Sequence, residues 1–253
     1  MKRRFNVNQR PPTQRVYGIH AVAARLEMAP PLVERVYVRA EASGRVAALA
    51  AAATRAGVEL QRIAPAVLRE LCGSDHHQGV VADVPPFHYR DIESVLIPKL
   101  ARVVVLDQLR DPQNFGALLR SAEAAGVGCV VVPKDGAVRV TPSVEKAAAG
   151  AAMRVPVALV VNVARTLQTL KDAGFWIIGL SARAPADLFS YEPPARVAIV
   201  LGGEEGLRRL VEERCDVLLA VPMQGQAESL NASVAGALAM YALRPRSRTA
   251  GFA

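Results

Sequence analysis

Three short polar segments gather the side chains of this 253-residue chain that could bind and orient a hydrogen-bonding ligand. The first, DPQNFGALLR, carries Asn114 and Arg120 behind an Asp111–Pro112 pair that reads as a helix N-cap and first helical position. The second, LGGEEGL, sets Glu204 and Glu205 after Gly202 and Gly203, whose missing side chains would let the backbone come close to a ligand. The third, VPMQGQAESLNASVA, holds Ser229 and Asn231. Amide, guanidinium, carboxylate and hydroxyl groups together suit the positioning of a polar substrate. Each group also has a plain structural use. Asn114 or Ser229 would serve as a cap, Arg120 as a solvated helix charge, and a glutamate opening a helix as a partner for its dipole. Asn114 and Arg120 are six positions apart, which on a helix leaves about 120° between them. They converge only if Asn114 lies on the loop ahead of the helix.

The elements that must carry these segments form a regular alternation. Strands are predicted at RVVVLDQ, VGCVVVP, RVPVALV, FWIIGLS, RVAIVLGG and VLLAVPM. Helices are predicted at NFGALLRSAEAAG, PSVEKAAAGAA, NVARTLQTLKDAG, GLRRLVEER and SLNASVAGALAMYAL. Apolar strands without polar alternation, each leading to a helix, predict an α/β fold with a parallel sheet covered on both faces. Such sheets bind ligands at the C-terminal ends of their strands, which is where all three polar segments fall. The small residues Ala232, Ala235, Gly236 and Ala239 predict close packing of the last helix. Neither a GxGxxG fingerprint nor a GxxxxGK[ST] loop occurs, so dehydrogenase and P-loop chemistry are disfavoured. The AGVG at 125–128 precedes a strand and reads as a helix C-cap.

Ahead of this region, helix GIHAVAARL, strand VERVYVR, helix GRVAALAAAATRAG and strands VELQRIA and QGVVADV predict a small α/β module that ends at Val84, where Pro85 and Pro86 interrupt. The expected organisation is a basic flexible N-terminus over 1–14, the small module over 15–84, a linker over 85–101, the main domain over 102–243, and a basic tail over 244–253.

At 51% hydrophobic and 21% charged residues the composition is that of a globular protein. The net charge of +8 is uneven: residues 1–90 hold thirteen Lys and Arg against seven Asp and Glu, residues 91–243 fifteen against sixteen, and the tail three arginines. A basic module beside a near-neutral body suits a polyanion partner such as RNA, while solvated basic ends would give the same numbers. Cys72, Cys129 and Cys215 match no zinc-ligand spacing and imply no disulfide framework, so a reduced cytoplasmic setting is expected. Cys72, His76 and His77 lack a fourth ligand nearby, so no metal is expected. No secretion signal and no apolar run long enough to span a membrane is seen, and no membrane association is expected.

In order and spacing, DPQNFGALLRSAEAAGV, IVLGGEEGL and VPMQGQAESLNASVA resemble motifs one, two and three of the SpoU (TrmH-type) branch of the SPOUT RNA methyltransferases. The resemblance implies a C-terminal domain with a deep trefoil knot, a rare exception to unthreaded chains. It also implies a homodimer and S-adenosyl-L-methionine as methyl donor, held by main-chain groups at Leu201, Gly202, Val221, Pro222, Met223 and Leu230. Arg120 matches the family's motif-one arginine, implied to contact phosphate and to assist deprotonation of a ribose 2′-hydroxyl. Phosphate clamping suits a guanidinium better, since it barely deprotonates. Asn114 and Asn231 match its invariant amides and Ser229 a hydroxyl at the phosphate or cofactor rim. The family's second motif reads G-x-E-x-x-G-L, and this chain is one residue short. Glu204 keeps the spacing from Gly202 and is taken as the motif carboxylate, while Glu205 keeps a spacing toward Gly206.

The segments VYGIHAV and HHQGVVADV resemble the subgroup that methylates guanosine in the peptidyl-transferase P loop of 23S rRNA. That resemblance makes the small module an RNA-binding domain, with Arg15, Gly18, His20, His77 and Gln78 in the matching positions. Two rival functions are ribose methylation of tRNA and RNA binding without catalysis.

Overall fold

The computed structural model describes residues 13–244, so the basic segments 1–12 and 245–253 lie outside the described residues. The chain divides into two compact units, one up to His88 and one from Tyr89.

The first unit runs β1 (Gln14–Tyr17), α1 (Ile19–Met28), β2 (Arg35–Arg39), α2 (Gly44–Arg55), β3 (Glu59–Ile63), α3 (Pro65–Cys72) and β4 (Val80–Val84). Its sheet has the order β1-β4-β2-β3, with β2 and β3 parallel and the other pairs antiparallel. On one face Val16, Val36, Val38, Val80 and Ala82 pack beneath Val22 and Leu26 of α1 and Leu49 and Ala53 of α2. On the other, Tyr17, Tyr37 and Val81 pack against Leu68 of α3. Both β1 and α3 go beyond the elements predicted above. The four residues of β1 are too few to show a period, whereas α3 does carry readable ends in Pro65 at its first turn and Gly73 in the left-handed region at its close.

The second unit runs α4 (Ile92–Val95), β5 (Arg102–Asp107), α5 (Pro112–Ala124), β6 (Cys129–Pro133), α6 (Pro142–Ala147), α7 (Ala151–Arg154) and β7 (Val157–Val160), then α8 (Val163–Asp172) and β8 (Trp176–Leu180). It closes with β9 (Ala186–Asp187), β10 (Val197–Gly202), α9 (Arg209–Glu212), β11 (Val217–Ala220) and α10 (Ala232–Ala242). Seven strands in the order β7-β6-β5-β10-β8-β11-β9 make one sheet. Every pairing in it is parallel. All residues of β5 and β6 are buried, as a sheet covered on both faces requires.

Two local departures from the sequence expectations have clear causes. The helix expected over PSVEKAAAGAA breaks into α6 and α7, because Ala149 and Gly150 take φ of 50° and 90°. Part of the expected linker is built into the second unit: Arg90 N–H donates to the Val157 carbonyl at 2.9 Å and Leu159 N–H to the Arg90 carbonyl at 3.3 Å. This one-residue bridge covers the outer edge of β7, a position that would otherwise expose unpaired backbone. The small residues of α10 serve packing within the chain. A Cβ on Gly236 would lie 2.4 Å from Leu118 Cδ2 and 2.7 Å from Leu201 Cδ1, so glycine sets how closely α10 approaches α5 and β10.

Candidate active site

Strands β5 and β10 lie side by side, with Asp107 opposite Gly202 at their C-terminal ends. From β5 the chain turns through α5 to β6 on one side, and from β10 through α9 to β11 on the other. This divergence is a topological switch point, where the two exits leave a crevice between them. A recess sits there, lined by Gln108, Leu109, Arg110, Asp111 and Asn114 from the β5 exit and by Gly203, Glu204, Glu205 and Gly206 from the β10 exit.

Asp111 caps α5, its carboxylate accepting from the backbone N–H groups of Gln113 and Asn114, each at 3.1 Å. Asn114 therefore lies in the first turn of α5 and not on the preceding loop. It lines the recess, while Arg120 is exposed further along the same helix and does not. Six helical residues place Arg120 about 9 Å farther along the axis and about 120° around it. Within one chain the two side chains do not converge.

Residues Gly203–Gly206 form a tight turn, with Gly206 N–H donating to the Gly203 carbonyl at 3.0 Å. Glu204 and Glu205 are its two central residues, both exposed and both lining the recess. Neither starts a helix, because α9 begins only at Arg209. The glycines here admit the chain's own backbone: a Cβ on Gly202 would meet the Gly206 carbonyl carbon at 2.2 Å, and one on Gly203 the Gln108 oxygen at 2.5 Å.

The third segment leaves β11, which β8 separates from β10, so at ordinary strand spacing it starts about 10 Å away. Val221 is half-buried, and Pro222, Met223, Ser229 and Leu230 are exposed. The cap of α10 is Asn231 and not Ser229: its side-chain oxygen accepts from Ser233 N–H at 2.8 Å and Ser233 Oγ at 2.6 Å. Leu201 is buried within β10. Of the motif side chains, the structure brings Asn114, Glu204 and Glu205 to one recess and leaves Arg120, Ser229 and Asn231 outside its lining.

Sequence reading missed Asp107 and Arg208. Asp107 is fully buried at the end of β5, and its carboxylate binds the Arg208 side chain and backbone. A carboxylate closing an otherwise apolar strand run was the available signal. Gln108 beside it holds φ of 59°, unusual for a side-chain-bearing residue and a mark of a constrained strand exit. Burial pushes the Cys129 and Cys215 thiols up to about 12, so neither is a nucleophile near neutral pH.

In the first unit, Gln78 Oε1 accepts the Ile19 N–H at 3.0 Å and Gly18 N–H donates to the Val80 carbonyl at 3.2 Å. These bonds tie the start of α1, with Gly18 and His20, to the His77–Gln78 loop. His77 Nδ1 accepts the Gly79 N–H at 3.0 Å, and burial holds the imidazole below its ordinary value despite Asp75. Gln78 has φ of 54°, so the loop is tightly bent. Arg15 lies elsewhere, in a row of alternating charge across the sheet. It pairs with Asp83 at 3.3 Å, Tyr37 OH donates to Asp83 at 2.8 Å, and Arg35 pairs with Glu59 at 2.8 Å.

A polar recess at the switch point of an all-parallel sheet, carried with a separate small α/β unit, defines a two-unit α/β enzyme architecture. The chain belongs to the SpoU rRNA methylase family, whose sequence model matches residues 101–241. The model for the RNA 2′-O ribose methyltransferase substrate-binding domain matches residues 15–90. Among similar proteins is the 23S rRNA (guanosine-2′-O-)-methyltransferase RlmB of Escherichia coli (strain K12), 39% identical over 243 residues, covering 93% of this chain and all of that protein. The crystal structure of an RNA 2′-O ribose methyltransferase superposes with a TM-score of 0.75 at 27% identity, covering 92% of this chain and 89% of that one. The SpoU methyltransferase AviRb from Streptomyces viridochromogenes, solved with AdoMet, shares the fold with a TM-score of 0.76 at 24% identity, covering 91% of this chain and 88% of that one.

Proposed function

We propose that this protein transfers the methyl group of S-adenosyl-L-methionine to the ribose 2′-hydroxyl of a guanosine in 23S rRNA, in the peptidyl-transferase P loop, in the cytoplasm. The carrying observation is the 39% identity to RlmB over 93% of this chain and the full length of that enzyme, small unit included. A tRNA substrate or RNA binding without catalysis explains that full-length match less well.

The residues present fit the donor. Among the described residues, no hydrogen bond involves the backbone of 221–230, so main-chain groups there remain open to a ligand beside the exposed Met223 and Leu230. Leu201, Gly202, Val221, Pro222, Met223 and Leu230 would hold the donor, which supplies an electrophilic methyl. The reaction forms a carbon–oxygen bond to the ribose as the carbon–sulfur bond breaks, and the hydroxyl proton must leave. Asn114 and Glu204 at the recess would orient the nucleotide, with Ser229 and Asn231 contributing from the third segment outside its lining and Arg120 clamping a phosphate. Gly18, His20, His77 and Gln78 would meet RNA at one end of the small unit, and Arg15, its side chain 47% exposed, would add a cation.

The same reading includes a homodimer and the trefoil threading. Val234 and Tyr241 are 48% and 46% exposed on α10 and stand near one face at helical spacing, an apolar surface suited to a second copy. Since Arg120 lies away from its own recess, a second copy would also supply a way to bring an arginine to it.

The test incubates purified protein with labelled donor and 23S rRNA from a strain lacking the modification, then maps ribose methylation. One 2′-O-methylguanosine is expected, with activity reduced by about 100-fold in folded Asn114→Ala. Unmodified 23S rRNA alongside methylated tRNA would transfer the assignment to tRNA, and wild-type protein without donor affinity would leave a non-catalytic RNA-binding protein.

A further inference from the structure

We propose that Asp107 and Arg208 form a positioning pair that holds the Gly203–Gly206 turn against the recess; the inference rests on the reading of that recess as part of the methyl-transfer site. Asp107 has no exposed surface, and a buried carboxylate persists only when its oxygens are paired. Its Oδ2 accepts the backbone N–H of Arg208 at 3.0 Å, and its Oδ1 accepts Arg208 Nε at 2.9 Å and Nη2 at 2.6 Å. Its own carbonyl accepts the Gly203 N–H at 2.8 Å. One residue at the end of β5 thus grips the stretch from Gly203 to Arg208 at both ends.

Between those two grips, Leu207 packs on the core of the unit and leaves Glu204 and Glu205 as the free crest of the turn. Stability alone does not call for this arrangement: the Arg208 side chain is 46% exposed, so only the carboxylate is buried, and an apolar pair of similar volume would leave no buried charge in need of a partner. What an apolar pair cannot do is fix direction. A guanidinium presenting Nε and Nη2 to one carboxylate oxygen, while the adjacent backbone N–H takes the other, allows few orientations of the turn.

The test measures donor affinity by calorimetry and steady-state methylation for the full chain, Arg208→Lys and Asp107→Asn, with circular dichroism and Tm on each. Lysine keeps the charge and loses the fork; asparagine keeps the shape and loses the charge. Folded variants are expected to raise the KM for S-adenosylmethionine by about tenfold, whereas simple destabilisation lowers Tm and the active fraction without moving KM. Should Arg208→Lys fail to fold, Asp107→Asn, which leaves no buried charge of its own, carries the same comparison. Donor affinity and KM within about twofold of wild type in either folded variant would overturn the pair. Wild-type protein that binds no donor would instead remove the underlying reading, and this inference with it.

Discussion

His77 shows how one side chain in the small unit couples its ionisation to structure. Its Nδ1 accepts the Gly79 N–H, a bond that only the unprotonated nitrogen makes, and burial depresses its value below the ordinary 6.5. The folded state therefore binds the proton less readily than the unfolded chain. The stability this group contributes is present above about pH 6.5 and is lost as pH falls toward the folded value. In urea unfolding, wild type is expected to lose more stability between about pH 7.5 and pH 5.5 than His77→Gln, which keeps an acceptor without the titration. Equal losses in the two proteins would show that His77 is not the linked group. The same residue scale explains why Arg15 differs from its neighbours in the proposed RNA set: its guanidinium already pairs with Asp83 and donates to the Leu71 carbonyl at 3.2 Å.

Among elements, the bridge at Arg90 is the one whose role could not be guessed from composition. The stretch after two prolines reads as a linker with one short helical piece, yet its Arg90 backbone pairs with β7, and Ile92 and Leu100 join the core beneath the sheet. Arg90→Pro removes the N–H that bonds Val157 and is expected to destabilise the second unit by about 1–3 kcal/mol. Arg90→Ala keeps that N–H and should cost less than about 0.5 kcal/mol. Urea midpoints for the two variants give the comparison, and equal values would mean that the bridge contributes nothing. Helix ends were more readable. Asp111 and Pro112 open α5 as their types predict, and Gly126, with φ of 70°, follows its close. The break between α6 and α7 was hidden by an alanine-rich run that favours continuous helix.

For the molecule as a whole, the exposed face of α10 and the displaced Arg120 both bear on assembly. If the proposed homodimer uses that face, Val234→Lys with Tyr241→Glu should shift the sedimentation coefficient to that of a monomer and reduce rRNA methylation at least tenfold, with the far-UV spectrum retained. A wild type that sediments as a monomer at micromolar concentration would remove the homodimer from the proposal.

The alternation of apolar strands and helices was local information, and it determined the α/β class and the parallel sheet. The three polar segments were legible for the same reason, since strand ends are marked where an apolar run stops. Their order and spacing, with the resemblance they carry, pointed to the family. Only the tertiary structure decided which strand ends are neighbours. Residue Asp107 lies 101 positions from Arg208, and no local pattern joins them. Strand order places β5 beside β10 and β11 two strands further on, so the first two polar segments line one recess while the third starts apart from it. Helix phase likewise sends Arg120 away from Asn114. Periodicity records which face a residue occupies, whereas pairing across the sheet depends on contacts between residues far apart in the chain.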